Sequence, residues 1–128
     1  MKHECNYNTD LGFVEAVTHG AATREDMVNM CISIRNLCEK HPYANVVVDH
    51  SDLDAGPLSM DDIQYIADLV ASSKSVFSGR KCAHIAVKDI QFGLVRAWET
   101  LVELSGMSDL YTMSFRSRDS AIKWISNS

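Results

Sequence analysis

The residues with the clearest capacity for chemistry lie in one polar stretch, VDHSDLDAGPLSMDDI, which runs from residue 48 to residue 63. It holds the three residue types of a nucleophilic triad, in the order Asp49, His50 and Ser51. Adjacent residues of an extended chain point to opposite faces, so adjacency alone does not build a triad. The strand–turn–helix motif GxSxG of serine hydrolases is also missing from the sequence. The sequence therefore predicts no catalytic residue, and we expect a protein that is not an enzyme.

The same stretch has the alternating aspartates of a calcium loop, Asp52-x-Asp54-x-Gly56. An EF-hand loop counted from Asp52 requires glycine at its sixth position and glutamate at its twelfth. Those two positions hold Pro57 and Ile63. The calcium interpretation therefore fails on the sequence.

Two short pairs, His3-x-Cys5 and Cys82-x-His84, could each place two metal ligands on one side of a strand. No third or fourth ligand is indicated for either pair, and a structural zinc site needs four. His84 is instead expected to be a hydrogen-bonded core or sheet-face residue. Because glycine-rich phosphate loops are absent too, the sequence predicts no metal and no cofactor.

Hydrophobic periodicity and turn residues indicate the elements that must position these side chains. Two capping boxes, at Thr23–Asp26 and Ser59–Asp62, predict the starts of helices. The predicted order is a hairpin (2–8 and 11–19), a helix ending at Pro42, a strand (44–49), a helix closing at Ser78-Gly79, a strand (82–88), a helix capped by Asp89, a strand (110–115) and a last helix capped by Ser117. This alternation predicts one α/β domain over residues 1–128, with a mixed sheet of about five strands and about four helices.

Composition narrows the classes of partner. The chain has 128 residues and a net charge of −5, which argues against nucleic acid and anionic membrane surfaces. No apolar run approaches the roughly 20 residues of a membrane span, and the first residues lack a signal-peptide core. The expected location is cytoplasmic. The four cysteines lack CxxC spacing. Cys31 and Cys38, seven residues apart on one stripe of a helix, are expected to act as small buried hydrophobic residues.

Two motifs carry a resemblance to a known family. One is Phe92-Gly93-x-x-Arg96-x-x-Glu99, and the other is the closing pattern that runs from Phe115 to Ile125 as FRSRDSAIKWI. Together with the order of the predicted elements, these motifs make the chain resemble the bacterial SpoIIAA-like family over about residues 10–127. The members of that family are relatives of the STAS domains of anti-sigma-factor antagonists. The resemblance implies a mixed sheet of about five strands with packed helices. Many members of that family are small stand-alone proteins of undefined function.

The resemblance implies two kinds of function. STAS-type antagonists dock onto partner proteins and are switched by a phosphorylatable serine in an Asp-Ser-Ser-Gly-like motif at a helix start. The matching segment here, 54–59, lacks that motif, although Ser59 stands at a helix start where a phosphate would be favoured. Ser59 is therefore a candidate phosphorylation site. Relatives also include folds that carry lipids in a groove, which leaves a small ligand as an alternative.

Polar residues that follow the carboxyl ends of the parallel strands form a candidate site for a ligand or a partner, which we call the rim. Ligands of open α/β sheets bind at these strand ends. His50 could titrate near neutrality there. An enzyme based on this rim ranks last among the hypotheses. The rim consists of Asp49, His50, Lys88, Asp89 and Gln91.

A candidate interface lies on the third long helix, which is apolar beyond a single stripe through Phe92, Val95, Trp98 and Val102. The first hypothesis is thus a non-enzymatic interaction or regulatory module that binds a protein partner or itself. The alternative is a binding protein for a small apolar or anionic ligand. A carrier should contain a sizeable closed pocket lined by Met, Leu and Phe, whereas a docking module should present a flat apolar patch on one helix.

Overall fold

The computed structural model describes residues 1–127, which form one five-stranded sheet with five helices. The elements in chain order are β1 (Lys2–Asn8), β2 (Phe13–Ala21), α1 (Arg24–Lys40), β3 (Asn45–Asp54), α2 (Met60–Ser72), α3 (Lys74–Phe77), β4 (Lys81–Ile85), α4 (Asp89–Leu104), β5 (Tyr111–Phe115) and α5 (Arg118–Ser126).

The strands lie in sequence order across the sheet, β1-β2-β3-β4-β5. The β1–β2 hairpin is antiparallel and the other three pairings are parallel. The predicted α/β class and mixed five-stranded sheet are confirmed. The additional helix is the four-residue α3, because the helix predicted to reach residue 77 is interrupted at Ser73.

Both predicted capping boxes form. The Thr23 and Ser59 hydroxyls each accept a hydrogen bond from the backbone N–H of the aspartate three residues later, at 3.2 Å in both cases. The carboxylates of Asp26 and Asp62 accept in return from the N–H of the capping residue, at 3.0 and 2.9 Å. These contacts satisfy N–H groups that have no partner within the helix.

The core is divided by the sheet into two layers. One face packs against α1, α2 and α4 in a large cluster that includes Val14, Val46 and Val48. The other face packs against α5 in a smaller cluster that includes Phe13 and Val47. Successive residues of β3 therefore belong to different layers, as the two-residue period of a strand requires.

Strand β3 is longer than the sequence predicted. The strand expected to end at Asp49 continues through Asp54, so the first part of the polar stretch is strand and not loop. Its extension pairs with the end of β2 after a shift in register, because Val17 lies opposite Asp49 while His19 lies opposite Asp52. An advance of two residues along β2 therefore corresponds to an advance of three residues along β3. The extra residue in β3 is a β-bulge.

The start of α4 also differs from the expectation. Asp89 is the first helical residue and not the cap, which is the preceding Lys88. The backbone N–H of Lys88 donates to Oε1 of Gln91 at 3.0 Å, so the glutamine closes this helix start. The Asp89 carboxylate is exposed and pairs with Arg116 at 2.9 Å.

Candidate functional site

An apolar cavity of about 80 Å³ lies between the sheet and the layer formed by α1, α2 and α4. Methionines of α1, aliphatic side chains of α2 and α4, and valines of β3 provide most of its wall. Representative lining residues are Met27, Met30, Val48, Leu53, Ile66, Phe77, Val95 and Leu110. This is the kind of lining that the sequence-based expectation for a ligand carrier requires.

Four lining residues are only half-buried, whereas the others are buried. Cys31 belongs to α1, Leu58 precedes α2, and Leu94 and Trp98 lie on α4. Three of the four therefore lie on or next to α2 and α4. The wall of the cavity is therefore least buried at these two helices.

The bulge in β3 determines how polar groups reach the cavity. It lets His50 and Leu53, three residues apart, both line the cavity. Nδ1 of His50 lies 2.8 Å from the Thr18 hydroxyl, which donates to the Asp49 carbonyl at 3.3 Å. Thr18 and His50 are both buried, so this pair is part of the core.

His84 extends this polar group across the next strand. Its ring stacks with that of His50 at a centroid distance of 5.8 Å and meets the Trp98 ring edge-on at 4.9 Å. Nδ1 of His84 lies 3.9 Å from Sγ of Cys82. The buried Nε1–H of Trp98 has no hydrogen-bond partner among the described residues. We call His50, His84 and Trp98 the aromatic cluster.

Both histidines of the aromatic cluster are neutral at physiological pH. Burial lowers the pKa of His50 to about 4, against the opposing effect of the Asp49 charge. Burial, with the neighbouring His50, lowers the pKa of His84 to about 3. The expectation that His50 titrates near neutrality is therefore wrong, because the imidazole lies in the core and not on a solvated rim.

Gln91 is buried and connects α4 to the bulged strand. Its amide Nε2 donates to the backbone carbonyls of Leu53 at 2.7 Å and of Ser51 at 3.3 Å. Its Oε1 accepts from the N–H of Lys88. The side chain uses both its donor and its acceptor groups within the protein, so it holds α4 against β3 at the cavity wall.

The other predicted rim residues are not gathered in one cleft. Asp49 accepts hydrogen bonds from the N–H and hydroxyl of Ser51, at 2.9 and 2.6 Å, and its charge acts on Arg118 of α5. Its side chain therefore lies on the face opposite His50. Lys88 and Asp89 are exposed at the start of α4. Only His50 and Gln91 of the predicted rim reach the cavity.

The predicted interface on α4 is divided between core and surface. Val95 and Val102 are buried in the subunit, with Val95 in the cavity wall. Phe92 is half-buried, and the Arg116 guanidinium covers its ring at 4.2 Å from the ring centroid. Trp98 is half-buried in the aromatic cluster. The four side chains do not form one exposed apolar patch, because two of them face inward.

Ser59, the candidate phosphorylation site, is exposed at the start of α2. Its hydroxyl is engaged as a helix cap, and its partner Asp62 also pairs with Arg24 at 2.8 Å. Hydrogen bonding to Ser59 and Arg24 lowers the pKa of the Asp62 carboxyl.

Within residues 1–127, no group of three or more His, Cys, Asp or Glu side chains is arranged to hold a metal ion. The helices in this same range include none of sufficient length and apolar character to cross a membrane.

Comparison with known proteins relates the chain to a fold. No family model matches the sequence, and no curated protein matches it. A solved structure from Shewanella loihica PV-4 superposes with a TM-score of 0.61 at 17% identity, covering 97% of this chain and 92% of that one. That structure is described as an uncharacterized protein of the DUF3478 family with a SpoIIAA-like fold. The chain has a SpoIIAA-like fold.

The SpoIIAA-like fold confirms the architecture implied by the sequence motifs. At 17% identity the likeness extends to the fold alone, and the relative itself is uncharacterized. Sequence reasoning gave an apolar cavity only as the alternative hypothesis, and it missed the participation of Thr18 and His50 within this SpoIIAA-like sheet. The available signal was the even spacing of Val46, Val48 and His50, which places the histidine on the same strand face as two core valines.

Proposed function

We propose that this protein binds a small, mostly apolar ligand in the cavity beneath α2 and α4. The single observation that carries the proposal is the cavity of about 80 Å³ with an almost wholly apolar wall. One water molecule needs only roughly 10–15 Å³ of such space, so the cavity has room for a group of several heavy atoms. Native interiors are close-packed and have few voids larger than a water molecule.

The physical cost of an empty apolar cavity supports a ligand there. Wall atoms that face a void lose their dispersion contacts, and an apolar wall offers water few hydrogen bonds. A ligand that fills the cavity restores these contacts. The half-buried residues Leu58, Leu94 and Trp98 give it an approach from solvent.

The chemistry of the wall favours an uncharged ligand over an anionic one. The described wall contains no lysine or arginine, and the low pKa values of His50 and His84 keep both rings neutral. An ionised group moved into this environment would lose its hydration without gaining a counter-charge.

Docking through α4 receives less support from the geometry. Val95 and Val102 contribute to the subunit's own core, and Phe92 is covered in part by Arg116. A flat apolar patch built from the predicted interface would need these side chains on the outside.

A titration with toluene, followed by two-dimensional ¹H–¹⁵N NMR, tests the proposal. We expect saturable shifts in amides of cavity-lining residues such as Val48, Ile66 and Val95. Replacing Val95, in the cavity wall, by phenylalanine fills the space and should abolish these shifts. The matched control is Val87→Phe, at a position that is 51% exposed, which should bind toluene as the unaltered protein does.

Two results would overturn the proposal. One is the absence of saturable shifts in the unaltered, folded protein up to the solubility limit of toluene. The other is equal binding by folded Val95→Phe and by Val87→Phe, because the site would then lie outside the cavity.

A further inference from the structure

We propose that the ligand carries one uncharged hydroxyl group, which is hydrogen-bonded at the aromatic cluster while the rest of the molecule fills the apolar cavity. This inference rests on the proposed function and specifies the chemistry of the ligand. A hydroxyl suits the site because it both donates and accepts a hydrogen bond.

The donor in the site is Nε1–H of Trp98. This N–H is buried and has no acceptor among residues 1–127, although an indole N–H usually has a partner when it is buried. A buried donor without a partner costs free energy, so a ligand oxygen that accepts from it gains affinity. Trp98 lines the cavity and is half-buried.

The second polar group in the site is an imidazole nitrogen. Nδ1 of His50 is occupied by the Thr18 hydroxyl at 2.8 Å, and that hydroxyl also lies 3.3 Å from the Asp49 carbonyl. The described residues give Nε2 of His50 no hydrogen-bond partner. Whichever ring nitrogen carries the proton of neutral His50, a ligand hydroxyl can pair with Nε2, because a hydroxyl accepts as well as donates.

The three rings of the cluster adjoin one another in the cavity wall. The His84 ring lies 5.8 Å from that of His50 and 4.9 Å from that of Trp98 by ring centroids. The remaining wall is mostly aliphatic. The wall therefore offers polar contacts at the cluster and apolar contacts elsewhere, which suits an amphiphilic molecule.

Three probes of similar shape separate the kinds of ligand. Phenol carries the hydroxyl, toluene replaces it by a methyl group, and benzoate carries a full negative charge. We expect phenol to bind about tenfold more tightly than toluene, and benzoate to bind less tightly than either. The indole N–H signal of Trp98 should shift with phenol, whereas that of Trp124, which packs on the α5 side of the sheet, should not.

A variant isolates the hydrogen bond from the apolar contacts. Trp98→Phe removes the N–H and keeps an aromatic ring, so the preference for phenol over toluene should fall to about twofold or less while toluene still binds. The control is Trp124→Phe, which should keep the full preference. The probe titrations of the unaltered protein test the inference even if Trp98→Phe fails to fold.

The outcomes distinguish this inference from the proposed function. Toluene binding that equals or exceeds phenol binding would overturn the hydroxyl and leave an apolar-ligand protein. Tightest binding of benzoate would overturn it in favour of an anionic group. If none of the probes binds, the proposed function fails and this inference fails with it.

Discussion

The imidazole rings of His50 and His84 stack 5.8 Å apart on the parallel neighbours β3 and β4, and both line the same apolar cavity. Each ring is buried without a carboxylate hydrogen-bonded to it among the described residues. The nearest charge that acts on His50 is Asp49, and the thiol of Cys82 is the neighbour of His84. The burial of both rings makes stability depend on pH.

Unfolding should become easier as the solution is acidified below the pKa of an unfolded histidine. Both folded pKa values are lowered, to about 4 for His50 and about 3 for His84, so the unfolded chain takes up protons first. The stabilisation is complete above about pH 6.5 and is lost as the pH falls toward the folded values. Because of these two histidines, we expect the unfolding free energy to fall by about 4 kcal/mol when the pH is lowered from 7.5 to 5. Urea unfolding at the two pH values measures it.

The contribution of one histidine can be separated by substitution. His84→Phe should remove about half of this pH dependence, because only His50 then remains to be protonated. The control is Val87→Phe, at an exposed position that holds no titratable group, which should retain the full dependence. Identical pH dependence in the unaltered protein and His84→Phe would contradict the buried, neutral state of His84.

Replacing Gln91 should loosen α4 from the sheet. Gln91→Leu leaves the carbonyls of Ser51 and Leu53 and the N–H of Lys88 without this partner, and we expect a loss of about 2–4 kcal/mol of unfolding free energy. Chemical denaturation measures the loss. Gln64→Leu is the control, since Gln64 is exposed and bonds only to Asp68 four residues later. Equal stability of the two variants would show that Gln91 does not hold α4.

Arg80 closes the carboxyl end of α1 through backbone carbonyls. Its buried guanidinium donates to the oxygens of Cys38, His41, Ala44 and Val76. Arg80→Met keeps an unbranched apolar chain in place of the aliphatic part of arginine but removes all of these donors. We expect unfolding free energy to fall by about 3–5 kcal/mol, in the range for buried charged groups that lose their partners.

The control for Arg80 is Arg35→Met on the surface of α1. Arg35 pairs with Glu39 one helical turn away at 3.9 Å, and such exposed pairs contribute less than about 1 kcal/mol. Thermal unfolding of the two variants compares them directly. A loss for Arg80→Met no greater than for Arg35→Met would contradict the proposed role of the carbonyl contacts.

Ser59 should contribute to stability as a cap whether or not it is ever phosphorylated. Ser59→Ala removes the acceptor for the N–H of Asp62 and should lower unfolding free energy by about 1 kcal/mol. Ser75→Ala, an exposed serine of α3, is expected to have little effect. If the two substitutions behave alike in urea unfolding, the hydroxyl of Ser59 is not an effective cap.

Local signals predicted much of the fold. The capping boxes at Thr23 and Ser59 mark the starts of helices correctly, because a cap depends on residues only three positions apart. The alternation of strands and helices predicted a mixed five-stranded sheet, and the structure has one. Cys82 and His84 lie on one face of β4 as their spacing predicts.

The site depends on contacts that local patterns do not encode. The residues from His50 to Asp54 suggested a loop, but pairing with the end of β2 keeps them in a strand through a bulge. The bulge determines which side chains face the helices, and it arises between segments about 30 residues apart. The cavity volume depends on the distance of α2 and α4 from the sheet. The hydrophobic periodicity of the sequence indicates which face of a helix is buried, but it does not give that distance.

The central claim is that the cavity holds a small, mostly apolar molecule. A crystal structure of the protein grown with bromobenzene tests it directly, since bromine is located by its anomalous scattering. We predict a bromine peak inside the cavity, among Val48, His84 and Val95. A well-ordered crystal at saturating bromobenzene with an empty cavity, or with bromine only on the surface, would contradict the claim.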